Sequence, residues 1–107
     1  MPDPLRRIPV VSGLAYIERV RLTPAAFTAT LTPEPDNRYL RYALAVTVDG
    51  EKLGYVAPEI SVHYYDAVAA HAAPVACPAR RASASDHHTS GVELLLDFSN
   101  LPVTPAS

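Results

Sequence analysis

The pair Asp49-Gly50 constrains this chain more than any other two residues. A two-residue type I′ turn needs φ > 0 at both central positions, which Asp-Gly tolerates and most pairs do not. Residues 42–47 before the pair are rich in β-branched and aromatic side chains, and residues 52–56 after it end in the step Gly54-Tyr55-Val56. A β-hairpin is therefore expected, with strands on both sides of the turn. The loop leading into it, Pro35-Asp36-Asn37-Arg38-Tyr39-Leu40-Arg41, carries one aromatic ring and two guanidinium groups. A rigid hairpin with such a loop is a place to stack and hold a flat or anionic ligand.

The rest of the chain reads mainly as short strands. Residues 8–11 start one, and Pro9 implies an edge or first-residue position. Ser12-Gly13 permits a bend or bulge. Residues 14–22 read as extended, with Tyr16, Glu18, Val20 and Leu22 on one face and Ile17, Arg19 and Arg21 on the other. Thr23-Pro24 ends that segment. Residues 27–31 alternate with Phe27, Ala29 and Leu31 inward, and residues 33–37 form a loop on turn chemistry. Pro58 and Glu59 suit the first turn of a helix that runs to about His71, with Ile60, Tyr64, Ala67 and Val68 as its buried stripe. Residues 75–82 can form a strand weakened by Pro74 and Pro78, residues 83–91 are a polar loop, and residues 92–98 are the last strand. The expected fold is mainly β with one or two short helices, a small six-stranded SH3-like or OB-like barrel. Closing a barrel hides strand edges that would otherwise pair with other chains. Residues 1–7 read as a loose arm, 8–98 as the barrel domain and 99–107 as a tail.

Composition narrows the function. With 107 residues, of which 49% are hydrophobic, the chain is expected to be one domain with a single core, and Cys77 has no second cysteine to pair with. The net charge of −2 argues against coating long nucleic acid by charge alone, yet leaves room for a local patch that grips a few phosphates. Lys52 is the only lysine, so the other cations are arginines, which suit bidentate phosphate or carboxylate contacts. No stretch has the apolar length of a signal peptide core or a membrane span, and a cytoplasmic protein without a membrane partner is expected.

The candidate binding residues are aromatic and cationic. Tyr16, Tyr39 and Tyr55 are candidate stacking platforms, each ring able to contribute about 1–3 kcal/mol per base. Arg19 and Arg21 share a face if residues 14–22 are a strand, and Arg38 and Arg41 flank Tyr39 in the interleaving that nucleic-acid platforms use. Arg80-Arg81 with Lys52 is a further possible patch. His63, His71, Cys77, Asp86, His87 and His88 lack the spacing of a metal site. Glu51, Glu59, Glu93 and Asp97 are scattered, and neither a nucleophile beside a base nor a phosphate-binding glycine loop is present as a motif. A non-catalytic module without metal or cofactor is expected.

The ordered series Val11-Ser12-Gly13-Leu14-Ala15-Tyr16, Leu31-Thr32-Pro33-Glu34-Pro35-Asp36-Asn37-Arg38-Tyr39, Ala43-Leu44-Ala45-Val46 and Gly54-Tyr55-Val56-Ala57-Pro58-Glu59-Ile60 resembles the HIRAN domain, over about residues 8–98. That family comprises small modules joined to Swi/Snf-type helicases and nucleases, and free-standing bacterial proteins. The resemblance implies a six-stranded barrel with one or two helices that binds DNA, in the best-understood member at the 3′ end of a single strand. It implies a helicase or nuclease as partner protein; independently of it, a monomer or a weak homodimer through an open barrel edge is expected. The family's Arg-Tyr-Tyr motif falls on Ala15, Tyr16 and Ile17, so one aromatic remains. Its Tyr-Asp motif, whose carboxylate accepts the terminal 3′-hydroxyl, falls on Tyr39 and Leu40, and leucine cannot accept that bond. Asp36 is the candidate substitute. The Lys/Asn-Ala pair falls on Arg41, Tyr42 and Ala43, and Pro58 stands where a basic residue is common. The residues and the resemblance together point to Tyr16, Asp36, Arg38, Tyr39, Arg41 and Tyr55, with Arg19 and Arg21 beside them. Ala15, Ile17, Leu40 and Pro58 also fit an alternative, a protein-interaction module with the groove repurposed for a less polar partner.

Overall fold

Six strands close on themselves in the order β1-β4-β3-β2-β5-β6, every neighbouring pair antiparallel, in a computed structural model that describes residues 6–11, 14–82 and 94–105. The elements are β1 (Ile8–Val11), α1 (Leu14–Arg21), β2 (Ala26–Pro33), β3 (Leu44–Val48), β4 (Glu51–Val56), α2 (Pro58–Ala70), β5 (Val75–Arg81) and β6 (Leu94–Leu96). The fold class is the one expected: a closed, mainly β barrel with two short helices. Residues 1–5 of the expected arm, the Ser12-Gly13 bend, the whole loop 83–91 with Asp86, His87 and His88, residues 92–93 of the expected last strand and residues 106–107 of the tail lie outside the described residues.

The β3–β4 hairpin turns at Asp49 and Gly50 with φ of 50° and 81°, the type I′ geometry that the pair implies. A Cβ built on Gly50 meets nothing within 4 Å, so its replacement is opposed by the backbone alone. Gly50→Ala is expected to cost about 1–2 kcal/mol, the left-handed penalty of an L-residue. Denaturant melts measure this directly, and an unchanged midpoint would show that the turn relaxes to another type.

β4 holds an irregularity that shapes the whole outer surface. Val46 pairs with Gly54 but Thr47 pairs with Lys52, so β4 carries one extra residue there. A bulge reverses the in–out alternation. Leu53 and Val56 both enter the core, and Lys52 and Tyr55, three apart, both lie half-buried on the outside. Gly54, at φ 154°, supplies the backbone freedom for this reversal.

Residues 14–22 are not extended. They form helix α1, which packs against β4. The reason is visible in burial: Val20 is 0% exposed while Leu22, which a strand would place on the same face, is 84% exposed. Val20 marks the helix side that meets the barrel. Arg19 and Arg21 therefore do not share a face; two helical residues diverge by about 200°. Arg19 Nη1 donates to the Lys52 carbonyl (3.2 Å), and Arg81 Nη1 donates to the Arg21 carbonyl (3.4 Å) at the helix C-terminus, where cations are favoured.

Three other expectations shift. Pro9 is not on an edge, since β1 lies between β4 and β6. β3 starts at Leu44 rather than at residue 42, because Tyr42 sits in a turn at φ 55°. β5 forms in spite of Pro78, which pairs with Thr28 and accepts from the Asp97 N–H at 2.9 Å. β2 alternates as expected, with Ala29 and Leu31 buried. α2 begins at Pro58 and ends at Ala70, with His71 as its C-cap, and buries Tyr64 and Val68 with Ser61, whose hydroxyl donates to the Pro58 carbonyl. Tyr64 meets Phe98 edge-on at 5.0 Å. Cys77 is fully buried, and burial pushes its thiol up to about 12, which keeps it unreactive. Among the described residues no helix is long and apolar enough to cross a membrane.

Candidate functional site

The loop between β2 and β3 is folded by one asparagine. The Glu34 N–H donates to the Ala43 carbonyl (2.9 Å) and closes the loop at its base. The Asn37 N–H donates to the Glu34 carbonyl (3.2 Å), and Asn37 Oδ1 accepts from the backbone N–H groups of Tyr39 (2.9 Å) and Leu40 (2.8 Å). A short amide side chain mimics a turn of backbone in this way. Tyr39 is left at the tip, 94% exposed. On the return, Tyr42 takes a positive φ that is uncommon for a bulky residue. It is held by an edge contact with Tyr65 of α2 (5.7 Å between ring centroids) and by the Arg41 guanidinium 5.8 Å from its ring centroid.

Beneath the loop lies a four-residue polar cluster. Lys52 Nζ donates to Glu34 Oε2 (2.5 Å) and to the Tyr55 hydroxyl (2.9 Å). The Tyr55 hydroxyl donates to Glu34 Oε1 (2.8 Å), and Asn37 Nδ2 lies 3.1 Å from Glu34 Oε1 and 3.3 Å from the Tyr55 oxygen. The Lys52 ammonium also sits 5.0 Å from the Tyr55 ring centroid. The bulge in β4 is what brings Lys52 and Tyr55 onto one face. Burial opposes ionisation of Glu34, but the hydrogen bonds from Lys52, Tyr55 and Asn37 outweigh it and hold the carboxyl below its ordinary value of 4.5. The same partnership with Glu34, then Tyr55, raises the Lys52 ammonium. Burial, with Glu34 beside it, raises the Tyr55 phenol against the opposing effect of Lys52. The sole lysine is thus neutralised inside the protein.

A depressed carboxyl stabilises the folded state above the ordinary glutamate value, and that stability is lost as the pH falls through the lower folded value. Asp97 is lowered too, by Ser99 hydrogen bonds and Arg6, and loses its share in the same acid window. Lys52→Met removes the strongest donor to Glu34. Its stability deficit relative to the parent is expected to be full at neutral pH and to shrink below pH 4.5. Urea titrations of both proteins across that range measure the difference, with the Asp97 contribution common to both.

Above this cluster opens a cleft of about 500 Å³. Tyr16 from α1 and Tyr55 from β4 form part of its lining, Asp36, Arg38 and Tyr39 come from the loop, and Asn37 and Leu40 complete it. Five residues singled out from the sequence, Tyr16, Asp36, Arg38, Tyr39 and Tyr55, are therefore brought together. The other three are not among the lining residues. Arg41 is turned onto Tyr42, Arg19 is tied to the β4 backbone, and Arg21 pairs with Glu18 at 3.7 Å on α1. Lys52 and Arg81 do not form one patch, since Lys52 joins Glu34 and Arg81 joins α1. Asn37, Glu34 and Lys52 were not legible as site builders, although Asn37 lies in a stretch of turn residues where side-chain caps are common.

The cleft offers three ring faces, one guanidinium and one carboxylate. A second cavity of about 340 Å³ lies between β2 and the end of α2, with His71 as its single titratable side chain. Among the described residues no three histidine, cysteine or carboxylate groups converge on a point that could hold a metal ion. No family model, curated protein or solved structure matches the chain.

Proposed function

We propose that this protein is a non-catalytic module that binds the end of a single-stranded or frayed DNA, with a terminal base held between tyrosine rings. The observation that carries this reading is the convergence of Tyr16, Tyr39 and Tyr55 with Arg38 on one cleft. Ring faces accept any base, and a guanidinium beside them grips a phosphate. The resemblance to the HIRAN domain supports the same ligand. It asks for a carboxylate near the strand terminus, and Asp36 lines the cleft where Leu40 cannot serve. Such a module marks or recruits in the cytoplasm, and a helicase or nuclease acts on the DNA it holds.

The charge balance sets the salt dependence. Arg38 and Asp36 offset each other, and Lys52 is spent on Glu34. Binding therefore neutralises few phosphates, and log K falls by about 0.7 per phosphate contacted for each tenfold rise in salt. Fluorescence anisotropy with short oligonucleotides bearing free 3′ or free 5′ ends tests the reading. Saturable binding that prefers one end and weakens little with salt is expected. Absence of saturable binding at low salt would end it. The alternative, a peptide-binding module, draws on Leu40 and the neutral lining of the cleft. Co-purification of a protein partner that survives nuclease treatment would favour it.

A further inference from the structure

We infer that Asn37 is a positioning residue, which holds the loop tip that carries Tyr39 over Tyr55 so that the backbone of the cleft stands ready before a ligand arrives. This rests on the reading of the cleft as an aromatic binding site. Tyr39 is 94% exposed, so side-chain packing does not hold its ring. The point from which it projects is set by its backbone, and that backbone is held by Asn37 Oδ1 through the N–H groups of Tyr39 and Leu40. At its other end the same side chain is anchored to the floor of the cleft, through Nδ2 to Glu34 Oε1 and the Tyr55 oxygen. Lys52 in turn ties those two groups to β4. One amide thus links the exposed ring at the rim to the half-buried ring beneath.

The same contacts remove two competing roles. Both tip amides are already bonded to Asn37, so they do not serve as a phosphate nest. Asn37 Oδ1 has received two donors, which is its capacity, so its oxygen does not read a base edge. What remains for Asn37 is preorganisation. A loop tip whose backbone is already placed avoids part of the ordering cost of binding.

The test is a double-mutant cycle with a single-stranded dT decamer, read by anisotropy, combined with amide exchange by NMR on the free protein. Asn37→Ala is expected to weaken binding about fivefold to tenfold when Tyr39 is present, and less than about twofold in a Tyr39→Ala background. Asn37→Ser retains one acceptor and should fall between alanine and the parent. In the free parent, the Tyr39 and Leu40 amides should exchange more slowly than in an unstructured peptide, and Asn37→Ala should abolish that protection. An equal loss in both backgrounds would overturn the inference, since damage to the fold at large is indifferent to Tyr39. So would unprotected tip amides in the parent. If the parent binds no oligonucleotide, the nucleic-acid reading fails, and the exchange rates alone decide whether Asn37 places the loop tip.

Discussion

Tyr16→Ala combined with Tyr39→Ala is expected to raise the Kd for a short single strand by roughly thirtyfold or more, because each lost stack costs about 1–3 kcal/mol. The two positions differ in what else they do. Tyr39 is almost wholly exposed, so its truncation should leave the thermal midpoint unchanged and give the cleaner measure of stacking. Tyr16 lies half-buried on α1, so part of its effect passes through the helix. Phenylalanine at either position keeps the ring and should retain most of the affinity. If the double alanine variant binds like the parent, the three-ring cleft is not where bases go, whatever the protein binds elsewhere. Calorimetric titration with the same oligonucleotide would report both affinity and site number.

The second large effect concerns α1. Val20→Asp should destabilise the protein by about 3–6 kcal/mol, the sum of a lost buried aliphatic side chain and the desolvation of a carboxyl with no partner. That is a large share of the roughly 5–15 kcal/mol that holds a domain of this kind together. Leu22→Asp, the same change two residues later, should stay within about 0.5 kcal/mol because Leu22 is 84% exposed. The contrast separates helix from strand. On an extended segment the two positions share a face and both changes would be felt alike. Chemical denaturation of the pair checks it. Val20→Asp should also lower ligand affinity, since Tyr16 is carried by the same helix.

The parts of the fold that were legible in the sequence are those with local causes. Asp49-Gly50 prescribed its own turn, Pro58 with Glu59 prescribed the start of α2, and the alternation through Phe27, Ala29 and Leu31 prescribed β2. α1 was not legible because residues 14–22 place apolar groups at spacings that suit either period, and a helix of 8 residues without an acidic first turn announces itself weakly. The bulge in β4 was hidden for a different reason. Gly54 permits it, but only the demand of the core for both Leu53 and Val56 makes it necessary. The site followed the same division. Its rings and Arg38 could be named from residue type and neighbourhood. The Glu34–Lys52–Tyr55–Asn37 cluster joins two segments through that hidden bulge, and no spacing along the chain predicts it.

A ring of strands has no free ends, yet its links need not be equally strong. β1 and β6 are joined through Ile8 with Leu96 and Pro9 with Leu95, and Pro9 brings no N–H to the ladder. Among the described residues β1 is matched to β4 over two positions as well, Val10 with Val56 and Val11 with Tyr55, whereas β2 and β5 are matched over six. Partial opening of such a hoop costs least where a stave has short seams on both sides, which here is β1. One of those seams runs along Tyr55, which lines the cleft, so breathing of the cylinder at β1 reaches the ligand surface.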